Sequence, residues 1–125
     1  MNKNILKNSL VINDEKSNIG ASAKGKYMTN MEIATTIMEQ LGGRMFRMMT
    51  GAKNFIAIES GLTFKIPRSN NISYVKIILT PMDEYDMFFM KMNKTEIIIL
   101  KEVNGLFFDQ LQEVFTRETG LYTSL

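Results

Sequence analysis

The spacing of apolar residues along this chain switches from helical to alternating and back to helical, and that succession bounds the folds open to it. Ile33, Ala34, Ile37, Met38 and Leu41 recur at the interval of one helix face. Thr29-Asn30-Met31-Glu32 stands before them with the spacing of a capping box, in which the Thr29 hydroxyl and the Glu32 carboxylate each accept from the other's backbone N–H. Gly42-Gly43 ends the stripe. The spacing then predicts strands over Met45–Met49, Asn54–Glu59, Leu62–Ile66, Ile72–Thr80, Tyr85–Lys91 and Thr95–Lys101. Thr50–Lys53, Ser60-Gly61, Pro67–Asn71, Pro81–Glu84 and Met92–Lys94 supply the turns between them. A final helical stripe (Phe107, Phe108, Leu111, Val114, Phe115) implies a helix over Leu106–Glu118, stopped by Gly120. The expectation is an α+β domain: a helix, an antiparallel meander of about six strands, and a C-terminal helix packed on the sheet.

Such a fold must hold itself together by burial alone. The 125 residues include no cysteine and no histidine, so neither a disulfide nor a thiolate or imidazole metal site is available. The length suffices for one ordinary core, and 45% hydrophobic with 22% charged residues is ordinary globular composition. The same absence removes the side chain that titrates near neutrality and the thiol nucleophile, which points away from most enzyme chemistry. No apolar run approaches the ~18–20 residues of a membrane span. With no signal-peptide pattern in Met1–Asp14 either, a cytoplasmic protein is the expectation.

Residues 1–27 differ in character from residues 28–125. They are rich in Asn, Ser and Lys, with one apolar cluster, Leu10-Val11-Ile12, able to add an edge strand to an otherwise flexible extension. Lys24-Gly25-Lys26-Tyr27-Met28 is what translation of a purine-rich ribosome-binding site ahead of an initiator codon would yield, so Met28 is a candidate native start. Gly20-Ala21-Ser22-Ala23-Lys24-Gly25-Lys26 matches seven positions of a phosphate-binding loop. Tyr27 then stands where a magnesium-binding hydroxyl is required, and the segment reads as a small-residue linker.

Charge is uneven although the net is only +2. Arg44, Arg47, Lys53, Lys65 and Arg68 face a single acid, Glu59, within residues 44–68, whereas eight acids and four bases follow from Asp83. The basic residues with Phe46 and Phe55 form a candidate nucleic-acid-binding hairpin, cations reaching phosphates and rings stacking on bases. Read as a strand, Met45, Arg47 and Met49 lie on one face and Phe46 and Met48 on the other. Asp83, Glu84 and Asp86 are the densest acids, but oxygen-only metal sites need more ligands than these, so no metal or cofactor is expected. Tyr85–Lys91 is apolar on both faces, and eleven methionines favour adaptable contacts. Met87, Phe88, Met90 and Met92, rimmed by Asp83, Glu84 and Asp86, are therefore candidate protein-interaction residues.

Several stretches carry a resemblance: Gln40-Leu41-Gly42-Gly43, Met49-Thr50-Gly51-Ala52-Lys53-Asn54-Phe55, Leu62-Thr63-Phe64-Lys65-Ile66-Pro67, Asp83–Tyr85 and Thr119-Gly120-Leu121-Tyr122-Thr123. From Met28 onward the chain resembles small proteins of bacterial phages and mobile elements. The resemblance implies no site residue, but it suits a non-catalytic accessory protein in the host cytoplasm. The expected partner is a host protein such as a defence nuclease, which it would inhibit by occupying a surface. Single-stranded nucleic acid is the alternative partner.

Overall fold

The computed structural model describes residues 28–124. The edge strand at Leu10–Ile12 and the loop at Gly20–Lys26 lie outside the described residues. Helix α1 (Asn30–Leu41) opens on the expected capping box. Glu32 N–H donates to Thr29 Oγ1 over 3.0 Å, and Thr29 N–H donates to Glu32 Oε1 over 2.9 Å. Its buried face is Ile33, Ala34, Ile37, Met38 and Leu41.

Gly42, at φ 126°, redirects the chain straight into a second helix, α2 (Gly43–Thr50). Met45–Met49 is thus helical and not a strand, which corrects the alternation read there. The reason is that Phe46, Met49 and Thr50 also fit helical spacing, and burial selects it: Phe46 and Thr50 are buried while Arg44, Met45, Arg47 and Met48 are exposed. Methionine and arginine are also good helix formers. Gly51 ends α2 at φ 78°, against Pro67, where a Cβ would sit 2.9 Å from the Pro67 ring.

Five strands follow: β1 (Lys53–Ile58), β2 (Gly61–Ser69), β3 (Ile72–Leu79), β4 (Tyr85–Asn93) and β5 (Glu96–Leu106). They pair antiparallel in chain order as a single meander. Pro67 does not break β2 as its ring would suggest. It falls in a register shift between Lys65 and Ser69, where no ladder hydrogen bond is required of it. The break is Asn70-Asn71, both at positive φ, a two-residue hairpin turn of the kind whose twist suits the flanking strands. The turn expected at Met92–Lys94 lies slightly later, since Met92 pairs with Ile97 and Asn93 with Glu96. β5 runs on past Lys101 because Val103 and Leu106 pair with Met87 and Tyr85.

A single 3₁₀ turn (Phe108–Gln110) leads into α3 (Leu111–Thr119), so the closing helix starts later than Leu106. Phe107 and Phe108 are correspondingly exposed rather than part of its stripe. Gly120 stops the helix at φ 82°, as expected.

Register assigns each strand residue to a face. Ala57, Leu62, Ile77, Met87 and Val103 form one row across the sheet, and Phe64, Val75, Phe89 and Lys101 form the next. The apolar members of these rows join Ile37, Leu41, Phe46, Leu111 and Phe115 in one core, so all described helices lie on this face. Phe46 is its hub, with ring centroids 5.5 Å from Phe64 and 5.1 Å from Phe115, both edge-to-face. Truncating Phe46→Ala should destabilise the fold by about 3–5 kcal/mol, the usual cost of deleting a buried ring. Thr29→Ala should cost about 0.5–2 kcal/mol by loss of the cap. Denaturant unfolding of the two variants against the parent checks both values.

Candidate functional site

The opposite sheet face receives no described helix. Its rows are Lys53–Lys65–Tyr74–Met90–Ile99, then Ile56–Thr63–Lys76–Phe88–Glu102, then Ile58–Gly61–Ile78–Asp86, with Met92 beside Ile97 at the far corner. Apolar side chains dominate it. Ile56, Ile58, Tyr74, Ile78 and Phe88 are half-buried, while Met92, Ile97 and Ile99 are 44, 47 and 53% exposed. Exposure therefore concentrates on the β4–β5 hairpin, where Leu100 is also exposed. Large apolar side chains gathered in this way are unusual on a surface facing only water.

The alternation of an antiparallel strand explains why these residues are here. Leu62, Phe64 and Ile66 are drawn to the helices, so Thr63 and Lys65 must face away. On β4 both faces are apolar, which places Met87 and Phe89 in the core and leaves Phe88, Met90 and Met92 on the far side. Met87 is fully buried and Met90 is 5% exposed, so neither offers itself to a partner as anticipated. Phe88 is half-buried, with the Lys76 ammonium 4.9 Å from its ring centroid. Met92 alone of the methionines proposed on this strand is exposed. Ile97, Ile99 and Leu100 escape a sequence reading because an unbroken aliphatic run looks like a buried strand. Only the position of β5 at the sheet edge exposes it.

The acids are engaged in local turn and strand-end contacts. Asp83 sits at positive φ in a turn whose hydrogen bonds run between Thr80 and residues 82–84. Asp86 Oδ1 accepts from Gly105 N–H over 3.1 Å, which holds the irregular end of β5. Among the described residues no group of three acids is placed to hold a metal ion.

The basic residues are divided. Arg44 and Arg47 lie on the exposed side of α2. Lys53 and Lys65 stand directly opposite each other on β1 and β2, and Arg68 lies in the β2 register shift. Lys53, Lys65, Ser73, Tyr74, Pro67 and Met92 help line a cleft of about 380 Å³. The aromatic half of the nucleic-acid proposal fails. Phe46 is fully buried, and Phe55 packs 5.2 Å from Phe64 with the Arg47 guanidinium 6.0 Å from its ring centroid. Tyr74, two strands from Lys53, takes their place beside the lysines, a neighbour that only the register reveals.

The Tyr85 hydroxyl is held away from its ordinary protonation. Burial raises its pKa, the Gln40 side chain partly opposes this by hydrogen bonding, and the Asp83 charge adds to the rise. The unfolded chain ionises this tyrosine in the usual range, and the fold ionises it later, so ionisation favours unfolding. Stability should be flat below the ordinary tyrosine range and fall as pH climbs through it. Absorbance titration should show a tyrosinate appearing above the ordinary tyrosine range, and Tyr85→Phe should remove that late phase.

No helix among the described residues is long and apolar enough to cross a membrane. Comparison of the chain with protein-family models, with curated proteins and with solved structures finds no match.

Proposed function

We propose that this is a non-catalytic accessory protein, of the kind carried by phages and mobile elements, that acts by binding a folded host protein with the sheet face on which no described helix packs. The observation that carries the reading is the apolar corner of Met92, Ile97 and Ile99, continuous with half-buried Phe88, Tyr74 and Ile78 on the same face. Binding there would bury apolar area at about 25 cal/mol per Å² and needs no reactive group. A defence nuclease blocked by occupation of its surface suits such a face, with Lys65, Lys76, Asp86 and Glu102 placed among the apolar side chains to set orientation.

Single-stranded nucleic acid is the competing partner. The pairing of Lys53 with Lys65 beside Tyr74 favours it, since like charges directly opposite on a sheet repel until an anion lies between them. The burial of Phe46 and the packing of Phe55 weigh against it.

The two readings separate on salt and on substitution. Host lysate passed over the immobilised full chain, with and without added nuclease, should yield one stoichiometric protein in both cases. Met92→Asp and Phe88→Asp should each release it, while Arg44→Glu with Lys53→Glu should leave it bound. Nucleic-acid binding would instead weaken steeply with salt, as phosphate contacts release counterions, and would be lost with the charge reversals. Capture that disappears after nuclease treatment would overturn the protein-partner reading.

A further inference from the structure

The two edges of the sheet are built differently. β1 is six residues long, has Asn54 at φ 58°, and shifts register between Lys53 and Ile56. Short length and a bulge are the ordinary means of preventing an edge from pairing. β5 has eleven residues and carries Ile97-Ile98-Ile99-Leu100 in sequence, with Ile97, Ile99 and Leu100 exposed and Ile98 half-buried. One side of β5 pairs with β4, and no described strand pairs with the other. A long aliphatic edge with unpaired backbone groups is a template for another strand.

We infer that a second copy of this chain occupies that edge, β5 pairing antiparallel with β5 of its mate across a two-fold axis perpendicular to the sheet. Such an axis requires paired residues to share a face, and β5 meets this requirement with Ile98 at the centre. Its pairing with β4 puts Glu96, Ile98 and Lys101 on the helix side and Ile97, Ile99 and Glu102 on the other. Leu100 is the extra residue where the register shifts between Phe89 and Met90. With Ile98 on the axis, Ile97 of each copy lies opposite Ile99 of the other. Beyond the extra Leu100, Glu96 of each copy then meets Lys101 of the other.

The strand is thus complementary to itself: an isoleucine centre flanked by two symmetric carboxylate–ammonium pairs. Lys101 is already held near this position, its Nζ 3.6 Å from Glu118 Oε2, with its side chain 53% exposed. Pairing would satisfy the open backbone groups of β5 and join two five-stranded sheets into one continuous sheet. It would also bring the Met92, Ile97 and Ile99 corners of the two copies together on the face that carries no described helix. The edge contact uses the backbone of β5, and Met92 and Phe88 stay outside it, so it can fail while the partner reading stands.

Two charge reversals test the register. The full chain should sediment as a dimer. Glu96→Lys alone sets ammonium against ammonium at both symmetric pairs, and Lys101→Glu alone sets carboxylate against carboxylate at both. Each should weaken self-association by roughly tenfold or more, given two cross-strand pairs inverted. An equimolar mixture of the two variants forms mixed dimers in which both pairs set an ammonium against a carboxylate, so mixing should restore the parent's affinity. The double variant Glu96→Lys with Lys101→Glu likewise has both opposite-charge pairs, with their signs exchanged, and should dimerise with itself like the parent. Because the double variant carries both substitutions, its recovery shows that neither one acts by preventing folding. A full-length chain that is monomeric at its highest soluble concentration would overturn the inference. So would single variants that dimerise as the parent does, or a double variant that stays monomeric.

Discussion

Four phenylalanine rings hold this structure on one side of its sheet. Phe46 from α2, Phe55 from β1, Phe64 from β2 and Phe115 from α3 lie with centroids between 5.1 and 6.5 Å apart in each contacting pair. Each edge-to-face contact adds about 0.5–1.5 kcal/mol to simple burial. More decisive is what they join: elements from the beginning, middle and end of the described chain. A meander contributes only hairpin contacts between sequence neighbours, so these rings and the aliphatic residues around them make the long-range closure. Because all of them point one way, the other face is left without a helix among the described residues, and everything proposed about function follows from that asymmetry.

Polar side chains then fix where the helices sit. Gln112 of α3 donates to the Leu41 carbonyl over 2.8 Å, satisfying a carbonyl at the end of α1. Asn30 at the start of α1 accepts from Ser60 N–H, binding that helix to the β1–β2 turn. Ser69 and Asn70 donate to the carbonyls of Thr119 and Glu118, which ties the β2–β3 turn to the end of α3. Gly61 must stay without a side chain, since a Cβ there would collide with the Ile77 carbonyl oxygen. The hydrogen bonds orient the helix layer on the sheet.

Much of this is legible in the residues themselves. The cap at Thr29, the stripe through Leu41, the alternation of Leu62–Ile66, and the stop at Gly120 are local signals, and each appears where it is expected. Met45–Met49 misleads because its apolar side chains fall at a mixed spacing that fits both periods. The ring of Phe46 settles the matter by reaching Phe64 and Phe115. The candidate site is less legible. Met87 and Met90 have the composition of an adaptable surface, yet the sheet buries both, while Ile97 and Ile99 look like core and are exposed.

What the sequence alone determined is the class of fold and the limits on its chemistry. A capped helix, a run of hairpins and a closing helix dictate α+β, and a chain without cysteine or histidine must rely on burial for stability and has no thiolate or imidazole for chemistry. Tertiary structure decided which apolar residues face water. That property belongs to strand order and register: a residue in β4 is covered because β3 and β5 flank it, and the same residue type in β5 is open because nothing described flanks its outer edge. Sequence periodicity records that a strand has two faces, but only the assembled sheet says which face the helices take and which strand comes last.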